Sequence, residues 1–175
     1  MGRTRNKRIL SMDLSLNLPA FAVTEVVGDK LVIKEISHID NKKGKKITTA
    51  EKLDKTYQEV KRLLKKYKKF DVVVRERGFS RYANTTQLLF RVVGVTDLVA
   101  LQVAGIDKIE EIPPATIKVA VAGFSRAEKK EVEKGVRAYL TEEQKEIEFY
   151  SDDESDAVAV AITYCIKNGW FMEKC

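Results

Sequence analysis

Four acidic residues, Asp13, Glu76, Asp153 and Asp156, are the side chains in this sequence best suited to chemistry. Asp13 lies in the apolar segment Ser11-Met12-Asp13-Leu14, where a carboxylate costs energy unless its charge is paired or metal-bound. Glu76 follows the run Val72-Val73-Val74, at a strand end of the kind where α/β folds place functional groups. Asp153 and Asp156 belong to Ser151-Asp152-Asp153-Glu154-Ser155-Asp156, just ahead of Ala157-Val158-Ala159-Val160-Ala161-Ile162. On a helix, residues spaced three apart share one face. Ser151 followed by Glu154 has the form of a capping box, which marks the helix start. Carboxylates from separate elements, with no histidine among them, are what a hard-cation site needs. Two magnesium or manganese ions on shared carboxylates can activate water and stabilise the leaving oxygen of a phosphodiester. Acidic residues also favour helix N-termini without any ligand, and Asp13 alone would serve in a cap or a salt bridge. Spacing does not show that the three places converge.

The elements that must position these groups follow from periodicity. Residues 8–14 read as a strand with Asp13 near its end, and residues 20–27 and 31–37 as a hairpin around Gly28-Asp29. Leu53, Tyr57, Val60, Leu64 and Tyr67 recur at helical spacing. Residues 72–74 read as a covered parallel strand and 85–104 as a helix with a nearly continuous apolar surface. A short strand is expected at 109–112, stopped by Pro113-Pro114, with helices at 117–121 and 126–140, a last strand at 147–150, and a last helix from Asp152. Strands followed by alternating strands and helices imply an α/β fold, a mixed sheet covered by helices on both faces. With no linker, repeat or low-complexity segment, residues 1–175 read as a single domain with a short basic N-terminal arm, 1–8.

Composition narrows the class. A chain of 175 residues is long enough for a core of its own. Two cysteines, Cys165 and Cys175, are too few for a disulfide scaffold, and the single histidine, His38, removes most histidine-based chemistry. No uninterrupted apolar run approaches the roughly 20 residues that span a bilayer, and no secretion signal follows the basic N-terminus. An intracellular location and no membrane partner are therefore expected. Lys and Arg exceed Asp and Glu by 32 to 26, for a net charge of +6. The excess gathers at Arg3, Arg5, Lys7 and Arg8, around Gly44 in Lys42, Lys43, Lys45 and Lys46, and between Lys61 and Lys69. Such clusters suit a polyanionic partner as well as they suit solvated faces.

The motifs taken together resemble the RuvC family of Holliday-junction resolvases, especially its compact bacteriophage members. Ile9-Leu10-Ser11-Met12-Asp13-Leu14-Ser15 resembles the family's first strand with its metal-binding aspartate, and Val72-Val73-Val74-Arg75-Glu76-Arg77-Gly78-Phe79 resembles its second motif. There Glu76 matches the catalytic glutamate and Phe79 the aromatic placed at the junction centre. Lys118, in Ile117-Lys118-Val119-Ala120-Val121-Ala122-Gly123, and Lys129, in Ser125-Arg126-Ala127-Glu128-Lys129-Lys130-Glu131-Val132, match two lysines of the basic third region. Asp153-Glu154-Ser155-Asp156 resembles the closing acidic motif. The match runs in order over nearly the whole chain. Leu14-Ser15-Leu16-Asn17-Leu18-Pro19-Ala20 departs from it, lacking the glycine often found after the first aspartate.

The resemblance implies a ribonuclease H-like fold with a sheet of about five strands, the second antiparallel. It implies a magnesium-dependent endonuclease, manganese substituting, with two ions held by Asp13, Glu76, Asp153 and Asp156. Catalysis would be assisted by Lys118 and Lys129 and would leave 5′-phosphate nicks in Holliday junctions and other branched DNA. The expected DNA-binding set is Phe79, Arg75, Arg77, Arg81, Lys118, Arg126, Lys129 and Lys130. A homodimer built on the helix 85–104, acting without a branch-migration motor in the cytoplasm of a bacterial host, completes the expectation. The same helix would instead lie inside a monomer if the C-terminal helix and Trp170-Phe171 covered its second side. Rival functions are a ribonuclease H-like nuclease of other specificity and a non-catalytic basic DNA-binding protein.

Overall fold

Nearly continuous burial along β1 (Arg8–Asp13) and β2 (Ala20–Val27), with a more exposed third strand at the edge, builds an antiparallel meander, to which two parallel strands are added. The computed structural model describes residues 6–78 and 82–171, so Arg3, Arg5, Phe79 and Arg81 lie outside the described residues. Strands β1 (Arg8–Asp13), β2 (Ala20–Val27), β3 (Lys30–His38), β4 (Val72–Glu76) and β5 (Glu110–Ile112) form one five-stranded sheet in the order β3-β2-β1-β4-β5. β2 runs antiparallel to β1 and β3, whereas β4 is parallel to β1 and β5. Arg8 already belongs to β1: its guanidinium pairs with Glu25 at 2.7 Å and donates to the Tyr67 carbonyl, so the basic arm stops short of it.

Side-chain alternation divides the core between the two faces. Leu10, Met12, Phe21, Val23 and Val73 meet α1 (Thr49–Tyr67) and α2 (Ala83–Ala104) on one side. Ile9, Ala20, Ala22 and Val74 meet α3 (Pro114–Ala122), α4 (Lys129–Tyr139) and α5 (Asp152–Lys167) on the other. The C-terminal helix and Trp170 therefore lie across the sheet from α2 and do not cover it. α2 is long and apolar enough by length and composition to cross a bilayer, the one such helix among the described residues; Val92, Val99 and Ala100 bury its inner side against α1 and the sheet.

Local chemistry explains where the boundaries moved. α3 begins at Pro114, whose missing N–H costs nothing in a first turn. α4 begins only at Lys129, because Glu128 and Glu131 exchange reciprocal side-chain and backbone bonds there, leaving Arg126 outside the helix. No strand forms at 147–150. The Gln144 side chain occupies the β3 edge instead, accepting from the Ile33 N–H at 2.7 Å and donating to the Ile33 carbonyl at 2.9 Å. This amide imitates a strand partner, and the chain beyond it passes β3 without pairing.

An ionic cluster ties β3 to α1. Glu35 accepts from Arg62 at 2.6 Å, Lys66 at 2.8 Å and the Tyr67 hydroxyl at 2.9 Å. Burial would raise its pKa, but the hydrogen bonds from Lys66, Arg62 and Tyr67 prevail and hold it down at about 2. A folded-state pKa below the unfolded value of about 4.3 stabilises the fold above that value, and the contribution disappears as pH falls through the folded pKa. Glu35→Gln is therefore expected to cost on the order of 1 kcal/mol at neutral pH, solvent screening included. Denaturant melts across a pH series should show the gap from wild type narrowing below pH ~4 and closing near pH ~2. A gap independent of pH would contradict this account.

Candidate functional site

Asp13 ends β1 and Glu76 ends the neighbouring parallel strand β4, so the two acids emerge at the same edge of the sheet. α5 crosses that edge. Its segment Ala157-Val158-Ala159-Val160-Ala161-Ile162 is fully buried, and small side chains let the helix lie close to β1, β2 and β4. Asp153 and Asp156 are thereby carried over Asp13, and these three carboxylates can offer oxygens within 4.8 Å of one another. Glu76 lines an adjoining cavity of about 250 Å³ with Asp156, Lys118 and Lys129. All four expected acids are brought to one place.

Electrostatics there is strained. Burial, then the charges of Glu76, Asp156 and Asp153, push the Asp13 carboxyl well above the usual range. Burial and the Asp156 charge raise Glu76 to about 7, with Lys118 opposing. Burial also raises Asp156 to about 6, against the pull of Lys129. Burial alone would lower the Lys129 ammonium, but Asp153, Asp156 and Asp152 hold it above its ordinary value. It lies 3.4 Å from Asp152 and 4.0 Å from Asp153. The two ammoniums of Lys118 and Lys129 are too little countercharge for the four acids. An all-oxygen group of converging carboxylates suits a divalent cation of the magnesium or manganese type.

The basic residues sort by face. Lys118 on α3 and Lys129 on α4 border the carboxylate cavity, and together with Arg126, Lys130 and Asp152 they line a neighbouring groove of about 600 Å³. The two helices meet closely at Gly135, where a Cβ would lie 2.0 Å from the Val121 carbonyl oxygen. That approach fixes the spacing of the two lysines. Arg77 is exposed, 3.7 Å from Glu111. Arg75 corrects the expected DNA-binding set. It points to the opposite face from Glu76 and is buried, pairing with Asp97 at 2.5 Å and Glu111 at 2.9 Å and donating to Thr96 at 3.1 Å. Those partners leave it a structural residue with no free face toward a ligand.

Opposite the lysine groove, Leu14, Leu16, Leu18, Lys42, Thr85, Leu88 and Asp153 line a depression of about 480 Å³. The glycine-free connection after Asp13 is held stiffly there. Asn41 donates to the Leu16 carbonyl, Lys52 to the Asn17 side chain, and the Leu18 N–H to Ser15. The capping box at α5 also differs from expectation. Ser151 makes no side-chain cap bond, and Glu154 accepts instead from the Tyr150 N–H and from His38. His38, excluded from chemistry by composition alone, thus sits within one residue's reach of the acidic turn.

The family model for crossover junction endodeoxyribonuclease RuvC matches residues 9–164, which contain all four acids. The chain belongs to the RuvC family. It is 29% identical to the RuvC of Pelotomaculum thermopropionicum over 162 residues, covering 93% of this chain and 94% of that one. It is 28% identical to the RuvC of Alkaliphilus metalliredigens over 156 residues, covering 89% and 91%. Thermus thermophilus RuvC in complex with Holliday junction substrate shares the fold with a TM-score of 0.80 at 22% identity, over 93% of this chain and 94% of that one. The yeast mitochondrial Holliday junction resolvase shares it with a TM-score of 0.62 at 16% identity, over 90% and 78%. The sheet with helices on both faces is thus that of RuvC and, more broadly, of ribonuclease H-like proteins.

Two ionised carboxylates this close repel by on the order of 3 kcal/mol at an effective dielectric constant of about 20, an upper bound here because proton uptake by the raised acids relieves part of it. In metal-free protein, Asp13→Asn is therefore expected to raise the melting temperature, by about 2–4 °C for each kcal/mol relieved. Magnesium should raise the wild-type melting temperature and leave the variant almost unmoved. A variant that melts lower than wild type without metal would show that Asp13 is held by favourable pairing.

Proposed function

We propose that the protein is a structure-selective endonuclease that resolves Holliday junctions and related branched DNA by divalent-metal-dependent hydrolysis. One observation carries the reading: in a chain of the RuvC family, carboxylates from β1, β4 and α5 converge beside the lysines of α3 and α4. Asp13, Glu76, Asp153 and Asp156 would hold the metal, the three-carboxylate group with Glu76 on its flank being a ligand set for two ions. Magnesium bound there, with manganese as a substitute, would supply an activated water and stabilise the departing 3′-oxygen. The chain's part is to hold its acids on rigid elements, keep their charges uncompensated until metal arrives, and offer Lys118 and Lys129 to the scissile phosphate. Arg126, Lys130 and Arg77 would meet flanking phosphates, contacts that position the backbone without reading sequence. Phe79, directly after Gly78, is assigned to the branch point by the family resemblance, and Arg81, two residues further on, would meet the DNA beside it.

A pair of active sites on opposed strands calls for a dimer, and α2 offers the surface. Phe90, Leu98 and Leu101 remain 60%, 49% and 52% exposed on its outer side. Contiguous apolar exposure of this kind marks association surfaces, and a two-fold pairing would cover it on both subunits. Residues 1–175 would act as one domain in each subunit.

Four-way, Y-shaped and linear DNA incubated with and without magnesium should separate the substrates, with nicks bearing 5′-phosphate on the branched ones. Glu76→Gln is expected to slow cutting by on the order of 10⁴-fold. Its junction affinity should persist, since affinity comes from phosphate neutralisation. Undiminished cutting by this variant would remove the carboxylate assignment. Val92 and Val99 are core residues, so the dimer is tested at Leu98→Glu or Leu101→Glu. Sedimentation should find these variants monomeric, and they should nick at most one strand per binding event. Wild type that stays monomeric at micromolar concentration, free and on junction DNA, would exclude the dimer.

A further inference from the structure

The first turn of α5 has a second attachment to the sheet besides the carboxylate cluster. Asp13 pairs with Ala20 across β1 and β2, and Ala20 pairs with His38 across β2 and β3. Residues directly opposite one another in a sheet point to the same face, so Asp13 and His38 stand in one transverse row beneath α5. Asp153 and Asp156 come down on the Asp13 end of that row, and Glu154 comes down on the His38 end. His38 Nδ1 lies 2.7 Å from Glu154 Oε1, and Glu154 Oε2 accepts the Tyr150 N–H at 2.7 Å. An ionised carboxylate only accepts, so the imidazole donates. The Tyr150 ring stacks on His38 at 4.0 Å and 13°, and the Lys43 ammonium hydrogen-bonds the Tyr150 hydroxyl.

This arrangement meets a need. Ser151 supplies no side-chain cap, its Oγ is buried without a partner, and Asp152, Asp153, Glu154 and Asp156 crowd one helix turn. Something besides the cap must hold that turn in place while its acids repel one another. Glu154 is the acid turned away from the cluster, and it is buried. We propose that His38, stacked on Tyr150 and bonded to Glu154, is a positioning residue that sets Asp153 and Asp156 over Asp13 at the spacing a divalent ion requires. It acts through Glu154 and touches neither metal nor DNA. The inference rests on the metal-site reading above.

Manganese binding to the full-length protein, followed by electron paramagnetic resonance, tests both layers separately. His38→Phe keeps the ring stack and removes the hydrogen bond. It is expected to weaken manganese binding about tenfold, the size of effect usual for groups that orient metal ligands. The magnesium concentration for half-maximal junction cutting should rise by the same factor, while junction affinity in chelator stays at the wild-type value. His38→Asn, whose amide nitrogen can stand near the Nδ1 position, should recover most of the loss, which a general packing defect would not allow. Wild-type manganese affinity in a cooperatively melting His38→Phe protein would overturn the brace. Should the histidine variants fail to melt cooperatively, Glu154→Gln reads the same bond from the other side, and unchanged manganese affinity there would overturn it equally. Wild type that binds no manganese would remove the metal reading, and the brace with it.

Discussion

Repulsion among acids held within 4.8 Å of one another, in a partly buried place, is the constraint on which the rest of this structure turns. Each close pair, when both acids are ionised, opposes folding by on the order of 3 kcal/mol near a protein surface, and partial burial of all three limits screening by water. The force that overcomes this is apolar burial on the same helix. Val158, Val160 and Ile162 are fully buried, and burying each such side chain contributes roughly 1.5–3 kcal/mol. Ala157 and Ala161, one turn apart on one face, add little burial but let the helix pack closely. Long side chains there would lift Asp153 and Asp156 away from Asp13 and relieve the strain, along with any capacity to bind metal.

Local pattern made much of this legible. Apolar runs and the turns that break them located all five strands to within a residue or two, and the Asp/Glu-rich start of α5 announced itself by composition. What stayed hidden depends on long-range pairing. Arg75 and Glu76 are adjacent in sequence and point to opposite faces, yet only the partners Thr96, Asp97 and Glu111 decide that the arginine is structural. Where a strand is expected at 147–150, the β3 edge is met at Ile33 by the side-chain amide of Gln144 instead.

His38 is the sharper case. Near the hairpin turn Val27 pairs with Lys30 and Thr24 with Ile33, a register that, continued unchanged, would set Ala20 opposite Ser37. The irregularity between Val23 and Thr24 shifts the register by one residue, so that Ala20 faces His38 instead. A one-residue slip moves every later side chain to the other face. Ser37 consequently turns to α1, where its hydroxyl bonds Glu59 at 2.6 Å, and His38 turns to α5. No propensity or motif in the strand itself encodes that outcome.

The same alternation links the two faces of the molecule through β4. Glu76 faces the carboxylate cavity, while Arg75, one residue earlier, reaches through Thr96 and Asp97 into α2. Asp97 is half-exposed and directly precedes Leu98, one of the apolar residues on the open side of that helix. A buried guanidinium must keep its partners, because an unpaired buried charge is far costlier than the pair is favourable. The end of β4 is therefore clamped from the α2 side at the residue before its functional acid. Burial of the outer face of α2 would also reduce the solvent around Asp97 and strengthen its pairing with Arg75. The strand that presents Glu76 is thus held by the helix proposed to join the subunits, and the proposed catalytic and association surfaces share one short mechanical element.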